Sequence, residues 1–600
     1  MKSARNVSRL VTASTAGMLA TLLHAQPVVT PDLLNQAEQQ QRRQQEREDA
    51  QRQQLQPAPD VRLPAMAPAA LPLLRDGETP CFVIQHIVTG VSGAGNGPSS
   101  IRRKTGDDAR LVLESDAALA GVNGDDPPLG RCLGAEAIQA VAGRAQAALI
   151  ARGFVTTRVL VEPQDLSGGT LKLTVVPGRI RNIRFATNED HRGQVWNALP
   201  ASSGDLLNLR DIEQALENFK RVPTAEADIQ ITPTGPDGAP ANAGQAGESD
   251  LVITYRQGFP ARIALSADDS GTRATGRYQG SVTLSYDNPL TLNDLFYVSR
   301  SGDLHGNRGG QGVRGTGGST VHYAVPFGYW LLGATASSNR YHQTVAGLNQ
   351  DYVYSGENNN LEIKLSRLVY RDVARKTTLS VRAFRRDARN FIDDTEVQNQ
   401  RRVVGGYELS ASHREFLGSS TLDLNLAYKR GTGAFGAMPA PEELFGEGTS
   451  RMKLFTLDAG FSVPFQLASQ TFRYSGQLRA QMDRSRLTPQ DRFAIGGRYT
   501  VRGFDGESSL SAERGWLVRN EVSAALGNSG QQAYAGLDHG EVGGPSARWL
   551  VGRRLTGLVV GVRGQLQHLQ YELFIGAPLR KPEYFRTASS SAGFSLNYSF

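Results

Sequence analysis

Across residues 259–600, every second side chain is apolar in segment after segment, and this alternation most limits what the chain can fold into. It runs through Ser281-Val282-Thr283-Leu284-Ser285-Tyr286, Leu361-Glu362-Ile363-Lys364-Leu365 and Leu422-Asp423-Leu424-Asn425-Leu426-Ala427-Tyr428. Phe455, Leu457, Ala459, Phe461, Val463 and Phe465 form another single-faced series, and the chain ends Phe594-Ser595-Leu596-Asn597-Tyr598-Ser599-Phe600. A period of two belongs to a β-strand, whose successive side chains point to opposite faces. The second face carries charges such as Glu362, Lys364 and Asp423, which suits a barrel with lipid outside and a polar lumen. About 16 antiparallel strands can be drawn, each long enough to cross a bilayer at a tilt. They share no fixed repeat period, which argues against a solenoid. The alternation runs to a final aromatic, as in outer-membrane barrels, which argues against a soluble sandwich. A polytopic helical membrane protein is excluded, because the one long apolar run lies at the extreme N-terminus.

That run identifies export. Lys2, Arg5 and Arg9 precede the apolar residues 10–23, and Leu23-His24-Ala25 offers a small-residue cleavage site. Residues 1–25 therefore read as a secretory signal, with an ordinary amphipathic helix as the alternative. After Pro31-Asp32-Leu33-Leu34, residues 35–56 are mostly Gln, Arg and Glu with no Gly or Pro. The span 31–56 is expected to be a helix polar nearly all round, which sits in water or in a polar channel. Residues 57–79 form a linker, extended where it is Pro/Ala-rich.

Residues 80–257 lose the long alternation and read as two small α/β units, 80–178 and 179–257. The first has a strand at Phe82-Val83-Ile84 and an amphipathic helix over 136–152, with Ile138, Val141, Ala145, Ala148 and Leu149 on one face. Strands over 155–161 and 170–176 follow. The second repeats the plan: a strand over 180–185, a helix over 209–219 whose Leu209, Ile212, Leu216 and Phe219 share a face, and strands over 229–232 and 250–255. A Gly/Asp-rich stretch at 90–130 leaves the strand boundaries of the first unit open. The two cysteines, Cys81 and Cys132, both fall in this first unit. In an exported chain such a pair reads as a disulfide, with two free buried thiols as the alternative. Closing that loop would contribute about 4 kcal/mol on a chain-entropy model.

The formal charge is +7, but no Lys/Arg block or aromatic platform gathers the cations, so no nucleic-acid partner is expected. Arginines lining a wet pore or meeting lipopolysaccharide phosphates account for them. The nine histidines are scattered, and there is no HExxH, P-loop or GxSxG pattern. No enzyme activity, cofactor or metal is expected. The glycine-rich stretch 302–310 has no helix after it and reads as a loop at a barrel end.

One segment is specific. It reads Phe493-Ala494-Ile495-Gly496-Gly497-Arg498-Tyr499-Thr500-Val501-Arg502-Gly503-Phe504, and Gly536-Leu537-Asp538-His539-Gly540 follows inside a strand. Together these resemble the conserved elements of two-partner secretion transporters, the hemolysin activation/secretion (ShlB/FhaC/CdiB) family, relatives of the barrel-assembly insertases. The resemblance implies that Val501, Arg502, Gly503 and Phe504 form the tip of a long extracellular loop folded back into the barrel. Arg502 would meet Asp538 on the inner wall, where Gly536 and Gly540 flank it. A charge-assisted Arg–carboxylate bond suits a loop without a packed core, and Gly503 suits a tight turn. The alternative is a surface arginine in an ordinary loop.

The resemblance covers nearly the whole chain. It implies a plug helix at 31–56, POTRA domains at 80–178 and 179–257, and a barrel of 16 strands at 259–600. Asn208-Leu209-Arg210-Asp211-Ile212-Glu213-Gln214-Ala215-Leu216 resembles the second-POTRA helix, and Tyr571-Glu572-Leu573 before Pro578-Leu579 resembles the penultimate strand. The implied function is ATP-independent export of one large unfolded protein across the bacterial outer membrane, with the POTRA domains in the periplasm. The implied partners are that cargo, outer-membrane lipid and lipopolysaccharide, and the barrel-assembly machinery during biogenesis. An insertase is the second reading and a diffusion porin the third.

Overall fold

The computed structural model describes residues 31–56, 59–63, 73–75, 77–92, 110–112, 126–186, 192–232, 247–304, 313–347, 350–527 and 529–600. The signal expected at 1–25, most of the 90–130 stretch and most of the glycine-rich stretch 302–310 lie outside the described residues.

Sixteen strands form a closed barrel in which each pairs antiparallel with its chain neighbours; a two-residue strand, Thr395–Glu396, decorates one hairpin. The last strand, Ser591–Ser599, closes on the first, Ala261–Asp268, from Ser595↔Asp268 to Ser599↔Ala264. The alternation sorts the two faces. Val282, Leu284 and Tyr286 point outward and are exposed, whereas Ser281, Thr283 and Ser285 are buried inside. Leu361, Ile363 and Leu365 likewise face out, and Glu362 between them is ion-paired within the lumen. The strands Asp351–Arg371 (21 residues) and Arg375–Ile392 (18 residues) exceed the roughly 9–11 residues a bilayer requires, so this side of the barrel projects well beyond the membrane.

The first small unit has a three-stranded sheet with Thr170–Val176 at its centre, parallel to His86–Val91 and antiparallel to Arg158–Leu160. Helix Ala135–Ala151 buries Ile138, Val141 and Ala142 in one core with Leu171 and Leu173. The second unit repeats this design, with Glu248–Gln257 between Arg179–Phe185 and Ala225–Thr232. Its helix, Leu209–Lys220, is capped by the Asn208 side chain, which accepts the Arg210 N–H at 2.8 Å. Leu209, Ile212, Leu216 and Phe219 are buried against Leu251, Ile253 and Tyr255.

Some strand bounds differ from the sequence reading. The strand expected over 155–161 is confined to Arg158–Leu160, because 155–157 form the turn after the helix and Thr157 Oγ1 there accepts the Gly178 N–H. The edge strand His86–Val91, unassigned in the sequence, alternates exposed and half-buried side chains, so no fully apolar face marked it.

Candidate functional site: a lumen closed by a loop and a helix

Residues 484–513 leave the strand Gln470–Asp483 at the extracellular rim and return into the strand Arg514–Ala525 after entering the lumen. A small apolar core holds the loop there: Phe493, Ile495, Val501, Phe504 and Leu510 pack against Leu517, Val542, Leu555 and Phe585. Phe504 meets Phe585 edge-on at 5.8 Å.

At the tip, Arg502 is buried against a fully buried Asp538. Its backbone N–H and its Nε donate to Asp538 Oδ2 at 3.0 and 2.7 Å, and Nη2 donates to Oδ1 at 2.9 Å. Nη1 donates to Glu521 Oε2 at 2.6 Å, and Arg563 pairs with the other Glu521 oxygen at 2.8 Å. Arg519 approaches Asp538 at 3.7 Å. Two cations thus flank each carboxylate, which makes this an ion network in a water-poor site rather than a single pair.

The wall is shaped to receive the tip. Gly503 has φ +96°, and a Cβ there would stand 2.6 Å from the Ala577 carbonyl oxygen. A Cβ on Gly536 would come within 2.6 Å of Arg502 Nη2, and one on Gly540 within 2.9 Å of Val501 Cγ2. At Gly557 it would fall 1.9 Å from the Arg502 carbonyl oxygen, and at Gly576 2.8 Å from Gly503 Cα. Glycines on three neighbouring strands therefore open a groove for the loop backbone. Glu521, Arg563, Gly557 and Gly576 were not picked out in the sequence. Glycines inside otherwise alternating strands were the available signal for the last two.

Helix Pro31–Leu55, about 37 Å long at 1.5 Å per residue, runs through the remaining lumen. Hydrogen bonds and ion pairs hold it. Near the extracellular side Gln40 donates to Thr272, and Arg42 Nη1 donates to the Pro489 carbonyl at 2.7 Å. Lower down Gln44 reaches Asn339, Arg47 reaches Gln279 and Gln51 reaches Ser281 and Ser299, at 2.8–3.0 Å. Glu48 accepts from Asn339, Arg52 pairs with Glu362, and Gln56 reaches the Tyr297 hydroxyl at 3.1 Å. The polar wall face and the polar helix explain each other: a strand residue that would be costly in lipid is solvated here by Gln or Arg.

Below the helix, the second unit is fastened to the barrel rim. Glu213 and Glu217 accept from Arg371 at 2.9 Å each, and Lys376 pairs with Glu217 at 2.5 Å. The same carboxylates accept the backbone N–H groups of Leu63 and Val61, at 2.8 and 3.2 Å. The Asn218 amide donates to the Gly328 carbonyl in another rim turn at 2.8 Å, and Asp287 takes two bonds from Arg262 and one from the Thr224 N–H. The polar face of the 209–220 helix is therefore an interface. In the first unit, Cys81 and Cys132 are joined as a disulfide.

A closed 16-stranded barrel whose lumen holds an inserted loop and a polar helix, with two α/β units at its periplasmic rim, defines an outer-membrane transporter. The family model described as "Haemolysin secretion/activation protein ShlB/FhaC/HecB" matches residues 247–564, and POTRA models match 125–178 and 179–233. The chain is 37% identical to the outer membrane transporter CdiB-2 of Burkholderia pseudomallei (strain 1026b), over 94% of each chain. Its fold is similar to solved structures of CdiB from Acinetobacter baumannii (28% identity) and from Escherichia coli (25% identity). Each superposes with a TM-score of 0.78, covering 94% of this chain and 99% of that one. The chain belongs to the ShlB/FhaC/HecB haemolysin secretion/activation family, the outer-membrane transporters of two-partner secretion.

Proposed function

We propose that this transporter passes one large, unfolded exoprotein through the lumen now occupied by the helix. The observation that carries the reading is the helix itself: it fills a polar lumen through reversible hydrogen bonds and ion pairs, and among its described side chains no apolar seam fixes it permanently. Residues 31–56 act as the plug, 57–79 as the tether that lets it leave, 80–178 and 179–257 as the periplasmic receptor, and 259–600 as the conduit. Residues 1–25 direct export and are removed.

Cargo arrives as an extended segment. Among the described residues the strand Ala225–Thr232 pairs on one side only, which leaves its outer edge for an added strand. Folding of the cargo outside the cell biases its passage, so the step needs neither ATP nor any catalytic group, cofactor or metal. The Arg502 clamp keeps the tip loop seated against the wall while the lumen changes occupant. The lipid-facing apolar belt meets outer-membrane lipid and lipopolysaccharide, and the barrel-assembly machinery inserts the chain during biogenesis. An insertase reading is less favoured: the described residues contain two periplasmic units, and the lumen is filled by a helix of the same chain.

Deletion of residues 31–56 tests the plug. Single-channel conductance in planar bilayers is expected to rise several-fold, and unchanged conductance would remove the assignment.

A further inference from the structure

The inserted loop is gripped a second time, on another part of the wall. Between the strand Gln470–Asp483 and the Arg502 tip it forms a single turn, Pro489–Asp491. The Asp491 carboxylate is buried. Its Oδ1 accepts from Arg386 Nη2 at 2.5 Å and from Lys429 Nζ at 3.2 Å. These cations stand on Arg375–Ile392 and Ser420–Thr432, whereas the Arg502 clamp uses Arg514–Ala525 and Gln532–Gly543. The turn is braced further by Thr488, whose hydroxyl donates to Asp491 Oδ2 at 3.2 Å, and by the Gln481 amide, which donates to the Asp491 carbonyl at 2.8 Å. The carbonyl of Pro489, two residues earlier, is the one that accepts from Arg42 of the lumen helix at 2.7 Å.

We propose that Asp491 is a second anchor of the tip loop, and that the turn it fixes locks the loop and the lumen helix together. A backbone carbonyl makes a firm acceptor for a guanidinium only when its own position is fixed. Here the fixing is done by one carboxylate shared between cations on two strands, which sets both the place and the direction of the turn. Neutralising Asp491 leaves Arg386 and Lys429 without their common anion and frees the turn that Arg42 holds. Release of the helix and loosening of this arm of the loop then become one coupled event, and each makes the other easier. Asp491 acts through position; cargo need not touch it. The inference rests on the plug reading of the helix.

The test is single-channel recording of the full-length protein in planar bilayers, counting high-conductance episodes. Heat-modifiable electrophoretic migration checks that each barrel is folded. Asp491→Asn is expected to raise the frequency of episodes about fivefold or more, the lower range of ordinary coupling between sites. Asp491→Glu, which keeps the charge, stays near wild type. Arg386→Gln/Lys429→Gln removes the same contacts from the wall side and must also raise the frequency, which keeps the test valid if Asp491→Asn does not fold. Arg42→Ala combined with Asp491→Asn is expected to open no more often than the more open single variant, because both break one lock. Multiplied effects in that pair, or a wild-type frequency in folded Asp491→Asn while deletion of 31–56 opens the pore, would overturn the coupling alone. Unchanged conductance in the deletion would instead overturn the plug reading on which the inference depends.

Discussion

The backbone N–H of Arg502 and its side-chain Nε both donate to the same oxygen of Asp538, at 3.0 and 2.7 Å. One carboxylate atom therefore fixes the position of the loop backbone and the direction of the side chain together. The second oxygen completes a bidentate contact at 2.9 Å, and the remaining guanidinium nitrogen crosses to Glu521. A lysine has the charge but not the fork, so it cannot satisfy both carboxylates in this geometry.

Arg502→Ala leaves Asp538 and Glu521 buried without their shared partner, a change that costs about 3–5 kcal/mol in comparable buried pairs. The cost falls on loop seating, because the barrel strands pair without it. Cargo in the medium is expected to fall at least about tenfold, with the barrel still inserted and heat-modifiable. Arg502→Lys is expected to resemble the alanine variant more than wild type. Normal export by either would remove the anchoring role.

Gly503 has φ +96° and sits where a Cβ would press on the Ala577 and Leu558 carbonyls at 2.6 and 2.9 Å. Gly503→Val is expected to unseat the tip and make residues 484–513 cleavable by protease added to intact cells. Gly143 provides the control, since a Cβ there meets nothing within 4 Å on an exposed helix face. Gly143→Ala is expected to stabilise its helix by up to about 1 kcal/mol and leave export unchanged. Equal protease resistance in Gly503→Val and wild type would contradict the close fit.

Glu217 joins the second periplasmic unit to Arg371 and Lys376 on the rim and to the Val61 N–H of the linker. Glu217→Gln takes the carboxylate from Lys376, leaves Arg371 paired with Glu213 alone, and is expected to increase hydrogen exchange across Leu209–Lys220 about tenfold or more, equivalent to roughly 1.4 kcal/mol. Exchange in the barrel strands should not change. Unaltered exchange in that helix would show the ion pairs to be incidental to docking.

Asp126 in the first unit accepts the Leu74 N–H at 2.9 Å and pairs with the buried Arg144 and with Arg131. The Leu74 N–H foremost, with the two guanidinium groups, holds its carboxyl below the usual aspartate range. A depressed carboxyl stabilises the fold above its unfolded value of about 3.9, and that contribution is lost as pH falls through the lower folded value. Asp126→Asn should therefore reduce protection of helix Ala135–Ala151 near neutral pH, and the difference from wild type should shrink as pH falls through the lowered folded value. Identical protection near pH 7 would contradict this.

The barrel was legible in the sequence because lipid on one side and a polar lumen on the other force a period-two pattern on each strand. The lumen helix was legible because residues 35–56 lack Gly and Pro and have no apolar face to bury. Arg502 and Asp538 stood out only through their neighbours: the tetrad and the Gly-x-Asp-x-Gly strand together identify the clamp, and neither does so alone. Glu521 and Asp491 were not legible. A single acid on an inward strand face or in a loop reads as ordinary pore lining, and its partner lies on a strand whose register the sequence does not specify. The same holds for Glu213 and Glu217, which follow the apolar stripe of their helix like solvent-facing residues but meet a rim turn more than 150 positions away.

Export of a dedicated cargo is decided by quantitative mass spectrometry of culture medium and cell surface with and without the gene. Without the gene, one or two very large proteins are expected to be lost, restored by the wild-type chain and not by Arg502→Ala, with other outer-membrane barrels at normal abundance. A general fall in outer-membrane barrels, or no change in any secreted protein, would contradict it.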